Sequence, residues 1–243
     1  MKTLVAAKAR SVSAEEQKHM AKALTFELGK VGIADIRRRM LGHLNIIDEK
    51  LASLVADGLG MTGEATKIAP AVIPIDLKPS PALRMYGKYP PTLKGRKVGV
   101  LLGPGFDAKL KKSVVAAIEK EGARAAIIAP KVGGVEDSTG TKSAADMALG
   151  GSPSVLFDAV VVLAGPAGDK ALANNPDAVD FLMDASRYLK AIAHAGMPEL
   201  AAKTQLAGLP GVVELKGPKD TGTFIDFARN GKVWDRDKPS DAK

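Results

Sequence analysis

The chain has 243 residues, of which 46% are apolar and 26% charged, enough to bury the core of a soluble globular protein. Its net charge of +8 is spread thinly, +3 over residues 1–60, +3 over 61–95 and +2 over 96–243, and aromatics are only 4%. That balance argues against the basic, aromatic-lined grooves that hold nucleic acid, and the absence of cysteine excludes disulfides, thiolate metal sites and a thiol nucleophile.

From the amino end, residues 1–60 read as a helical segment. Ser13-Ala-Glu-Glu16 is a capping box, followed by Met20, Leu24, Leu28 and Val31 at helical spacing, an apolar stripe in search of a partner. Further helices are predicted over Ile33–Leu44 and Ile47–Asp57, with Gly58 as the stop. Three short helices make a poor core, so this segment is expected to pack on something else. The run Arg37-Arg38-Arg39 reads as a solvated face or a contact to another chain.

Residues 61–95 hold six of the fifteen prolines, Pro70, Pro74, Pro79, Pro81, Pro90 and Pro91. Proline fixes φ and removes a backbone donor, so this stretch reads as an extended linker in which Ala71–Leu77 can run as a single strand.

Residues 96–243 alternate strands with helices. Strands are predicted at Lys97–Leu102, Arg124–Ala129, Ala159–Leu163, Ala191–Ala193 and Val212–Leu215. The helices are Ala108–Glu121, Pro176–Leu189 and Thr221–Arg229, and the turn-rich stretch within Val132–Ala145 reads as a hairpin excursion. Continuous apolar strands alternating with helices predict an α/β domain built on a doubly wound, flavodoxin-like parallel sheet. Any site is expected at the carboxyl ends of its strands.

Gly103-Pro-Gly105-Phe-Asp-Ala108 fits the dinucleotide pattern G-x-G-x-x-A. The second strand lacks a closing carboxylate and Pro104 lacks an N–H for phosphate, so a tight strand–helix turn is expected and no bound nucleotide. Asp107 follows as a candidate acid or as a cap for the next helix. His194, within Lys190-Ala-Ile-Ala-His-Ala-Gly-Met-Pro198, sits at a strand-to-helix elbow whose apex is placed at Ala193 or Ala195. A base there has no neighbouring nucleophile. His19, His43 and His194 form no His-x-x-x-His pair, so no metal is expected. Tyr86, Tyr89 and Tyr188 show no pocket for haem iron. No run of 18 apolar residues suits a membrane span and the first ten residues do not make a signal peptide, which gives a cytoplasmic expectation.

Two family resemblances rest on these stretches. The third region resembles the PfpI-type branch of the class I glutamine amidotransferase-like superfamily: Phe106-Asp107 matches its Phe-Glu-like pair and Ala191-Ile-Ala-His-Ala195 its Ala-Ile-Cys-His-Gly elbow. The elbow Cys falls on Ala193, so Asp107, Ala193 and His194 stand as vestigial candidates.

Nearly the whole chain also resembles the tail of large-subunit haem catalases, which is a helical segment, a proline-containing linker and a flavodoxin-like domain without the elbow Cys. The matching stretches include 21–31, 38–60, 93–107, 157–165, 187–196 and 231–236, in order. The family's haem barrel has no counterpart here. The resemblance therefore implies a non-catalytic C-terminal portion without haem of its own, partnered by the haem core and the other subunits of a homotetramer. It also implies a chaperone-like action on unfolded clients, through an exposed stripe on the first helix. The alternative is a free-standing PfpI-like hydrolase or glyoxalase using Asp107 and His194 with water.

Overall fold

The computed structural model describes residues 12, 14–70, 82 and 90–237. The chain divides into two compact units, Met1–Tyr89 and Pro90–Lys243. Ser13 of the expected capping box, the expected strand Ala71–Leu77, Tyr86 and Tyr89 lie outside the described residues.

In the first unit, α1 spans Ala14–Gly29, α2 Ala34–Ile47 and α3 Glu49–Gly58. The α2–α3 break is made by Asp48, whose carboxylate accepts the Leu51 amide and caps α3. α3 packs against both α1 and α2. Leu28, Leu41, Leu44, Leu51, Val55 and Met61 form their buried core. This corrects two expectations. The helices do build a core of their own, and the stripe on α1 is spent on it: Leu28 is buried, and Met20 and Leu24 pack against it half-buried. The following stretch returns along α2, where the Thr66 amide donates to the Arg38 carbonyl and Arg38 pairs with Glu64 at 2.8 Å.

The second unit is mixed α/β around a parallel six-stranded sheet. Its elements in chain order are β1 (Lys97–Leu102), α4 (Ala108–Lys120), β2 (Arg124–Ala129), β3 (Val135–Glu136), β4 (Lys142–Ser143), β5 (Met147–Ala148), β6 (Ala159–Leu163), α5 (Pro166–Ala173), α6 (Pro176–Arg187), β7 (Ile192–Ala195), α7 (Pro198–Lys203), β8 (Val212–Glu214) and α8 (Pro218–Arg229). The strand order is β5-β2-β1-β6-β7-β8, with every neighbouring pair parallel, while β3 and β4 form the separate antiparallel hairpin.

Alternation along each strand feeds two cores, one on each face of the sheet. Val98, Val100, Leu102, Val161 and Ala193 face Val114 and Ile118 of α4 and Phe224 and Ile225 of α8. Leu101, Ile128, Val160, Val162 and Ile192 face Leu172 of α5, Phe181 and Leu182 of α6 and Leu200 of α7. Leu93, ahead of β1 and within the expected linker, is fully buried in the first of these cores. The short β5 and α5 were not foreseen. A Leu189 φ of 58° ends the α6 segment, and the Asp107 and Asn175 side chains cap α4 and α6.

Candidate functional site

The carboxyl ends of β1, β6 and β7 crowd together, and backbone packing determines what the turns there can do. Gly168 lies so close to the β1 turn that a Cβ would sit 2.2 Å from the Pro104 carbonyl oxygen. The amide of Gly103 donates to Leu163, that of Gly105 to Glu136 and that of Gly165 to Pro104. The amides of both glycines of the pattern are thus used within the protein and Pro104 has none, so Gly103–Gly105 is a tight turn against which α5 packs.

Asp107 caps α4. Its Oδ1 accepts the amides of Lys109 at 2.7 Å and Leu110 at 3.1 Å. Ala193 and His194 both lie within β7, not at a turn, which corrects the expected elbow. The left-handed residue is Gly196, φ 68°, where a Cβ would meet the Ala164 carbonyl oxygen at 2.0 Å. Ala193 is fully buried and faces the α4–α8 layer, whereas alternation turns His194 toward the opposite face.

His194 is half-buried and its Nδ1 is shielded without a hydrogen-bond partner. Burial holds the imidazole below its ordinary range, with the Glu214 and Asp169 carboxylates pulling weakly the other way. Glu214 is the β8 residue in register with His194 and pairs with Lys216 at 2.8 Å, which keeps its carboxyl low. Asp169 is buried on α5 and accepts the amides of Glu199 at 2.8 Å and Leu200 at 3.0 Å, capping α7. Sequence reasoning missed both acids. Glu214 meets His194 through strand register and Asp169 acts on it from α5, relations that no local motif reports.

The predicted residues do not converge. β6 separates β1 from β7, so Asp107 and His194 rise from strands about 10 Å apart. A groove of about 530 Å³ between α4 and the β3–β4 hairpin, with Phe106 and Ile127 on its floor and Lys111 and Ser143 on its rim, includes neither residue. Among the described residues no group of three His, Asp or Glu side chains is placed to hold a metal ion. Tyr188 is 55% exposed, its ring under Lys232. No described helix is long and apolar enough to cross a membrane.

Comparison with known proteins identifies the family of the sequence. A family model described as catalase-related immune-responsive matches residues 10–59, and one described as the C-terminal domain found in long catalases matches residues 94–237. Catalase C of Rhizobium meliloti (strain 1021) is 40% identical over 227 residues, covering 91% of this chain and 32% of that protein. Catalase HPII of Pseudomonas putida is 33% identical over 96% of this chain and 33% of its own length. Catalase-2 of Bacillus subtilis (strain 168) is 31% identical over 93% and 32%. The chain thus spans about a third of the length of these relatives. It belongs to the long, large-subunit catalase family, of which it carries the C-terminal region.

Proposed function

We propose that the chain is a non-catalytic C-terminal portion of a large-subunit catalase whose parent decomposes hydrogen peroxide, and that it supports the parent's subunit assembly and shapes access to its haem. The observation that carries this reading is the spent site: a buried methyl group stands where the PfpI-type motif has its nucleophile, and the Asp107 carboxylate is committed to a cap. The same reading makes the α/β unit a flavodoxin-like, class I glutamine amidotransferase-like domain. Its five longer strands follow the order 2-1-3-4-5 of that topology, with β5 added at one edge.

On this reading haem belongs to the parent's core, and Tyr188, the described tyrosine, is exposed at the surface. The partners are then the haem core and the neighbouring subunits of a homotetramer, in the cytoplasm. A chaperone-like action on unfolded clients would fall to exposed side chains such as Phe26, because the α1 stripe is buried. The hydrolase or glyoxalase alternative is not favoured, since its two residues stand apart.

The test compares the full-length parent with a version lacking this region. Removal is expected to lower the midpoint of tetramer dissociation while turnover per haem persists, and the isolated chain is expected to release no oxygen from peroxide. Ester or glyoxal turnover by the isolated chain that vanishes in His194→Ala would overturn the reading.

A further inference from the structure

The groove between α4 and the β3–β4 hairpin takes no part in the site described above, and its walls are fixed. The Gly105 amide donates to the Glu136 carbonyl at 2.8 Å and the Ser138 amide to the Phe106 carbonyl at 2.9 Å, which ties the hairpin to the end of β1. From α4 to β4, the Lys111 ammonium donates to the Ser143 hydroxyl at 2.5 Å. It lies 5.8 Å from the centre of the Phe106 ring, which is 1% exposed. At about 530 Å³ the groove has the size of a small-molecule site.

Its lining is sorted by polarity. α4 presents Lys111 and Lys112, then Val115 and Ala116 one turn on, then Glu119 another turn on. Lys142 joins the cations from β4. None of these three lysines forms an ion pair among the described residues. Lys111, bonded once, keeps two donors for a further acceptor. Two carboxylates line the same groove. Asp137 has its Oδ1 committed to the Thr139 and Thr141 amides at 2.8 and 3.0 Å. Glu119 stands beyond Lys112 by about 10 Å along the helix, a distance that an extended chain of about eight carbons spans.

We propose that this groove binds a medium-chain monocarboxylate, its head on Lys111, Lys112 and Lys142 and its chain along Phe106, Val115 and Ile127 toward Glu119. A charge-assisted bond to the fixed ammonium orients the head, and burial of the chain on the apolar floor supplies the affinity. Glu119 repels a second negative charge at the far end. Such binding needs neither a haem core nor other subunits, so it can be read on this chain alone.

The test titrates the 243-residue chain with octanoate while its backbone amides are followed by NMR. Shifts are expected within residues 106–119 and 137–143. Octan-1-ol, acetate and octanedioate should each bind about tenfold more weakly or worse. Lys111→Gln should weaken octanoate by about the same factor, and so should Ala116→Glu, which sets a carboxylate beside the chain at an exposed position where the fold tolerates it. Octan-1-ol binding as tightly as octanoate would leave the lysines without a role, and acetate doing so would leave the apolar floor without one. Octanedioate doing so would remove Glu119 from the far end. Each of these results overturns the inference, as do shifts centred elsewhere, no shifts at millimolar octanoate, or binding unchanged in both variants.

Discussion

Of the two polar side chains that the sequence offers as candidates, Asp107 is committed to a helix cap and His194 stands half-buried in a strand. An aspartate that accepts two amides at a helix start satisfies donors that would otherwise be unpaired. Asp107→Ala is therefore expected to cost about 1 kcal/mol and about 2–4 °C in melting temperature, with Asp107→Ser recovering most of it, as thermal denaturation would show. His194 leaves a pH signature instead. Burial holds its folded pKa below the ordinary value near 6.5, so at neutral pH the ring is uncharged in both folded and unfolded chains. On acidification the unfolded chain takes up the proton first. The stability associated with the neutral ring is complete above about pH 6.5 and is lost as pH falls through the lower folded value. His194→Gln should flatten that limb of a stability-versus-pH curve, and an unchanged limb would show that another group causes it.

At the scale of elements, glycines separate packing from propensity. Gly168 in α5 is demanded by the β1 turn, whose Pro104 carbonyl oxygen would lie 2.2 Å from a Cβ, backbone against backbone. Gly168→Ala should cost about 3 kcal/mol or more, because neither side can yield. Gly222 in α8 is exposed with nothing within 4 Å of a Cβ, so Gly222→Ala should stabilise by about 0.5–1 kcal/mol. Urea denaturation of the two variants should move in opposite directions. The same contrast explains which elements were legible. Lys97–Leu102 and Ala159–Leu163 read as strands because both faces are buried, which forces a continuous apolar run. Pro166–Ala173 hid because a glycine required by a distant carbonyl interrupts its helical pattern, and the two-residue β5 is too short for any periodicity. The neighbours of His194 were illegible for a related reason: Glu214 arrives by register across two strands, not by spacing.

For the whole molecule, the sequence texture showed a helical part and an α/β part, while the packing shows where the second one begins. The proline count drew the linker through residue 95, yet the structure groups Pro90 onward with the sheet. Leu93 is fully buried beside Val98, Ile118 and Phe224, the Thr92 amide donates to the Arg229 carbonyl, and the Gly95 amide donates to that of Gly122. Nothing local announces this, because a lone leucine among prolines acquires its meaning only from a core built by α4 and α8. A buried leucine removed whole leaves a cavity, at about 2–5 kcal/mol for truncation to alanine. A fragment starting at Pro90 should therefore unfold cooperatively, with a higher urea midpoint than one starting at Lys97. Leu93→Ala in the longer fragment should reproduce most of the difference. Equal midpoints for the two fragments would mean that the α/β core closes without Leu93, and that the unit begins at its first strand after all.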